Sequence, residues 1–113
     1  MQGVIIVRWT TPRAGHEADA MKLADEATAY YANMAQAGQI AGYEWVNNFT
    51  GADGGMLLVR GDPQVLFGIV MSPEFGSIHL RGALYLEDWH WDLAFSGSSV
   101  DEVYPGWREL VGA

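Results

Sequence analysis

The stretch richest in potential chemistry is Asp88-Trp89-His90-Trp91-Asp92. Alternation along a strand would set Asp88, His90 and Asp92 on one face and both tryptophans on the other. Two carboxylates and an imidazole are metal-ligand types, but their spacing does not suit one ion. Neighbours on a strand face stand about 7 Å apart, whereas donors must lie about 2 Å from the metal. A shared ion would need help from Glu44 or from a second chain, so no metal is expected. An ion-pair cluster fits the same groups better, with Arg8 and Arg60 as its cations and His90 as its adjustable member.

A second constellation is aromatic. Five tryptophans in 113 residues mark a large aromatic layer, which is either core or a pocket for a flat ligand. Trp9, Tyr30, Tyr31, Trp45, Trp89 and Trp91 are its candidate ligand-binding residues. His79, Asn47 and His90 are the candidate catalytic residues. Other motifs are incomplete. His16-Glu17-Ala18-Asp19-Ala20 starts like a zinc-protease helix but lacks the second histidine. Residues 51–55, "GADGG", lack the Lys-Ser/Thr of a phosphate loop and read as a hairpin turn. No serine sits in Gly-x-Ser-x-Gly, and there is no cysteine for a disulfide or a thiolate.

These side chains need elements to hold them. Val4 to Thr10 is β-branched and aromatic, a strand. From His16 onward, Ala20, Leu23, Ala27, Tyr30, Met34 and Ala37 recur at steps of three and four, one face of a long helix that stops at Gly38. "GYEWVNNFT" and "MLLVRG" are two strands around the Gly-rich turn. Asp62-Pro63 and Ser72-Pro73 each open a helix, since Asp or Ser caps free amides and proline tolerates the first turn. The last strand is expected to run from Leu84 to Gly97. Residues 98–113 form a tail with a short helix broken at Pro105-Gly106.

The order strand-helix-strand-strand-helix-strand is the ferredoxin-like α+β plan: an antiparallel sheet with its helices on one face. Residues 1–97 form that domain. Alternation places Ile5, Val7, Trp9, Tyr43, Trp45, Phe49, Leu57, Val59, Trp89, Trp91, Leu93 and Phe95 under the helices. The opposite face mixes Val4, Ile6, Val46, Met56, Leu58 and Leu86 with Arg8, Glu44, Arg60, Asp88, His90 and Asp92. A wet face does not need those aliphatics, and a dry core does not tolerate those charges unpaired. The mixture suits a homodimer interface, with the six charged residues beside its dry part.

Composition narrows the partners. A net charge of -8, with six Lys and Arg spread along the chain, argues against nucleic acid. No apolar run reaches the roughly 20 residues that span a bilayer. Met1 to Val7 reads as a strand and not as a signal peptide, so the cytoplasm is the expected compartment.

The element order, the length and the stretch "MSPEFGSIHLRGALYLEDWHWDLAFSG" resemble the dimeric α+β barrel superfamily over roughly residues 3–97. Its Ser72-Pro73-Glu74-Phe75 is similar to a helix-opening step of these folds and carries no chemistry. The superfamily includes cofactor-independent monooxygenases of antibiotic biosynthesis, small polyketide cyclases and many uncharacterised bacterial proteins. The resemblance implies a sheet-to-sheet homodimer and no cofactor. In the monooxygenases a planar polyketide lies between helices and sheet, held by aromatic and amide side chains. Three functions are therefore expected in order: a binder of a small apolar or aromatic molecule; a cofactor-independent monooxygenase or cyclase of polycyclic aromatic substrates; a non-catalytic interaction module. A hollow helix–sheet layer would favour the ligand binder, and a filled one the interaction module.

Overall fold

The computed structural model describes residues 1–49 and 54–113. Strands β1 (Gly3–Trp9), β2 (Gly42–Asn47), β3 (Gly55–Gly61) and β4 (His90–Phe95) form one sheet in the order β2-β3-β1-β4, with every neighbour antiparallel. Helix α1 (Glu17–Gln36) links β1 to β2, and α2 (Pro63–Val70) and α3 (Pro73–Tyr85) link β3 to β4. Helix α4 (Ser98–Val111) follows the sheet. This is the ferredoxin-like α+β plan. The β2–β3 pairing runs from Gly42↔Arg60 to Asn47↔Gly55, as a hairpin requires; Gly51, Ala52 and Asp53 of the expected turn lie outside the described residues.

Local chemistry accounts for the helix boundaries. The Asp62 carboxylate accepts from the Gln64 amide at 2.9 Å, with Pro63 at the first helical position. Ser72 Oγ accepts from the Phe75 amide at 3.3 Å and donates to the Ile69 carbonyl at 2.7 Å, so one hydroxyl ends α2 and starts α3. Gly38 takes φ +77° just beyond α1, a left-handed conformation that favours glycine.

The core lies between the helices and the sheet: Ile5, Val7, Leu57 and Val59 below, and Leu23, Ala27, Tyr31, Leu66, Phe75 and Ile78 above. Tyr31, and not Tyr30, continues the buried stripe of α1, because the helix steps by four from Ala27. Three other expectations fail at the margins of the sheet. Phe49 lies beyond the end of β2 and is fully exposed. Trp91 and Phe95 point to the helix side but stand on an edge strand, and both remain exposed.

The last strand is much shorter than expected. Leu84 and Tyr85 finish α3. Leu86 and Glu87 then pair with the chain after β1, through Arg13 N to Tyr85 O (2.8 Å), Glu87 N to Thr11 O (2.8 Å) and a bridge between Pro12 and Leu86. Asp88 adopts φ +56° and turns the chain into β4. Aspartate tolerates that conformation better than most residues, and here the Thr10 hydroxyl donates to its Oδ2 at 2.9 Å. Leu86 is consequently buried toward the helices instead of joining the open face. The tail also differs from expectation: α4 runs unbroken through Pro105. It is tied to β1 at its start, where the Gln2 amide donates to the buried Ser99 Oγ. Among the described residues, no helix is long and apolar enough to cross a membrane.

Candidate functional site

The helix–sheet layer is hollow at one end. A cavity of about 300 Å³ opens among Trp9 of β1, Trp45 and Asn47 of β2, Leu57 of β3, Ala20 to Tyr31 of α1, Ile78 and His79 of α3, and Leu86 and Trp89 ahead of β4. Small side chains make the space. Ala20, Ala24 and Ala27 present methyl groups where larger residues would fill the layer. Six of the sequence-selected residues meet here: Trp9, Tyr31, Trp45, Asn47, His79 and Trp89.

Three tryptophans form the aromatic wall. Trp9 stacks on Trp89 with centroids 5.9 Å apart and planes at 24°, and meets the edge of Trp45 at the same distance and 68°. Trp45 Nε1 donates to Thr28 Oγ1 at 3.1 Å, and that hydroxyl donates to the Ala24 carbonyl at 2.8 Å, so Trp45 is pinned to α1. His79 lies on Phe75 at 3.7 Å and faces Trp89 at 5.3 Å.

The polar atoms of this wall stand out. Tyr31 Oη, both ring nitrogens of His79 and Trp89 Nε1 are buried, and among the described residues none has a hydrogen-bond partner. Native interiors satisfy most such groups, since each one left unmade costs roughly 1–3 kcal/mol. Burial also sets their protonation. His79 is pushed down to about 4 because desolvation disfavours the imidazolium, so the ring is neutral and offers one donor and one acceptor. Burial likewise raises the Tyr31 phenol, with a smaller contribution from Tyr30, and keeps it protonated. Among the described residues, no charged side chain lines the cavity. The arrangement can hold a neutral flat molecule and present it with two or three hydrogen-bonding groups.

The other sequence-selected residues lie elsewhere. Tyr30 faces a separate outer depression with Glu26, Glu74, Ser77 and Arg81, its hydroxyl 3.4 Å from Ser72 Oγ. Trp91 packs edge-on against Phe75 at 5.1 Å, with its ring 6.2 Å from that of His79, and does not line the cavity. His90 starts β4 on the open face, opposite Arg8, with its Nδ1 2.9 Å from the Asp88 carbonyl oxygen. Asp88 leaves the strand row, so Asp88, His90 and Asp92 are not three alternating strand positions. Among the described residues, no three His, Asp or Glu side chains are grouped as metal ligands would be. Arg60 pairs with Glu44 of its own chain at 3.2 Å. Sequence reasoning missed Pro12, Met21, Thr28 and Leu86, along with the alanine stripe. The stripe was visible as helix periodicity, but periodicity does not tell a packed face from a hollow one.

No family model and no curated protein matches the sequence. Among solved structures, the chain is similar to a dimeric protein of unknown function with a ferredoxin-like fold from Bacteroides fragilis. The TM-score is 0.61 at 10% identity, over 84% of this chain and 96% of that one. That likeness, with the sheet order and antiparallel pairing described above, identifies the fold of this chain as ferredoxin-like α+β.

Proposed function

We propose that this chain binds a small, neutral, planar aromatic molecule in the cavity between its helices and its sheet. The observation that carries this reading is the set of partnerless buried polar atoms on Tyr31, His79 and Trp89 around an apolar space. Its volume of about 300 Å³ is at the lower end of the roughly 300–1,000 Å³ typical of small-molecule sites. A ligand carbonyl can accept from Trp89 Nε1, and a ligand hydroxyl can pair with His79 or Tyr31. Each such bond removes the cost of a buried unpaired group. Titration of phenol, naphthol and anthrone against tryptophan fluorescence tests the reading. Saturable quenching by the fused-ring compounds is expected, and its loss in Ala24→Phe, whose ring would occupy the space. Quenching that is equal in the variant would place the ligand elsewhere.

A second reading is catalytic, and neutral His79 favours it. The His79 ring in the cavity wall can take the proton from the acidic carbon of an anthrone-like substrate, and the carbanion formed beside it offsets the charge of an imidazolium that burial alone disfavours. The carbanion is then open to dioxygen: one oxygen atom becomes the new carbonyl, and the other leaves as water with the two hydrogens of the former CH₂. That stoichiometry needs no reductant and no cofactor. Oxygen uptake dependent on anthrone and on His79 would support it.

The proposed assembly is a homodimer through the open sheet face. Ile6 and Leu58 are directly opposed at its centre, both half-buried. Arg8, Glu44, Arg60, His90 and Asp92 surround them, an apolar middle with a polar rim. Asp88 belongs to the turn beside that rim.

A further inference from the structure

The stacked pair Trp9–Trp89 rests on two glycines. A Cβ added at Gly54 would lie 2.3 Å from the Thr10 carbonyl oxygen and 2.8 Å from Trp9 Cδ1. That position is closed by backbone and serves the fold. A Cβ added at Gly82 would meet something different: Trp89 Cε2 at 2.3 Å, Cζ2 at 2.5 Å and Cδ2 at 2.7 Å, all atoms of one indole ring. The cause is local. Gly82 lies in the last part of α3, and the turn at Asp88 swings Trp89 back against that helix. Only a residue without a side chain lets the indole lie this close.

Resting on the proposed ligand site, we infer that Gly82 is the specificity-determining position of the cavity, which sets the largest ring system it accepts. The indole is trapped between the helix and the space it lines. With a methyl group at position 82 the ring must leave the helix by a distance comparable to the overlap. Trp9 is stacked against Trp89, and His79 lies 5.3 Å away. The displaced ring therefore advances toward the cavity that all three residues line. A fused three-ring ligand loses its place first, and a single ring last. The residue acts through Trp89 and need not touch the ligand itself.

The experiment compares wild type, Gly82→Ala, Trp89→Ala and the double variant for binding of phenol and anthrone. Gly82→Ala should weaken anthrone by about tenfold, the loss of roughly one aromatic contact, and leave phenol within about twofold. Trp89→Ala lowers anthrone affinity by itself, since the indole wall and its N–H are gone, but in that background Gly82→Ala should change it by less than about twofold, because no ring is left to displace. Equal anthrone binding by wild type and Gly82→Ala, or a Gly82→Ala effect of the same size in the Trp89→Ala background, would overturn the inference. If Gly82→Ala fails to fold, the double variant should fold as well as Trp89→Ala alone, since the three atoms nearest the added methyl all belong to the Trp89 ring; a double variant that unfolds where Trp89→Ala does not also overturns it. A crystal structure of Gly82→Ala gives a ligand-free readout, because the Trp89 ring must move into the cavity. Absence of anthrone binding by wild type would instead refute the ligand site, while that displacement would still decide the role of Gly82.

Discussion

Replacing His79 by leucine should remove a pH dependence from the stability of this protein. The ring is 7% exposed, and burial lowers it from 6.5 to about 4. The sign follows from where the proton prefers to sit. The unfolded chain takes it up near pH 6.5, and the folded chain only near pH 4. Folding is therefore fully favoured above pH 6.5, and this contribution is lost as pH falls toward 4. The complete loss is on the order of 3 kcal/mol, because each tenfold change in proton affinity is worth about 1.4 kcal/mol. By about pH 5 roughly 2 kcal/mol should be gone. The assay is urea unfolding of wild type and His79→Leu at about pH 8 and pH 5, followed by tryptophan fluorescence. The carboxylates titrate in both proteins and cancel in the difference. The lost stacking on Phe75 is the same at both pH values and cancels too. The stability of wild type relative to His79→Leu should fall by about 2 kcal/mol between the two. A difference that stays constant would mean that the ring is hydrated or partnered in solution, and the dry cavity wall would be refuted.

Ser72→Ala removes the hydroxyl shared by α2 and α3 and should cost about 1 kcal/mol in chemical denaturation, without changing ligand affinity. Leu58→Asp puts a charge at the centre of the open sheet face; sedimentation equilibrium should show a folded monomer where wild type is a dimer. Arg60→Ala should have little effect on that dimer, because its pair with Glu44 is half-exposed and within one chain, worth about 0–1 kcal/mol. A monomeric wild type at micromolar concentration would remove the proposed interface.

Much of the framework was legible because it is written in local chemistry. Asp62-Pro63 and Ser72-Pro73 announce helix starts through groups that bind their own backbone, and β3 alternates cleanly between buried and half-buried positions. Errors arose where tertiary geometry decides. Alternation correctly assigned Trp91 to the helix side, but not to the rim, because nothing local says that β4 is an edge strand. The same rule, extended back to Leu86 and Asp88, failed at a single left-handed residue. Tyr30 and Tyr31 compete for one stripe position, and the core selects the step of four. Helix α4 keeps Val100, Val103, Tyr104, Trp107, Leu110 and Val111 at helical spacing, a pattern that continues past Pro105. The cavity was the least legible feature. It arises from alanines that look like any apolar stripe and from a glycine whose partner lies seven positions further along the chain.

If a ligand partners the polar groups of the cavity, the Trp89 indole N–H reports on it directly. In nitrogen-15 NMR the five indole signals are resolved side-chain probes, and Trp89→Phe assigns the one of interest. On titration with anthrone, the Trp89 signal should move downfield as the N–H gains an acceptor, saturate at one equivalent per chain, and stay fixed in Ala24→Phe. An unmoved Trp89 signal, with anthrone bound or not, would contradict the proposed binding site.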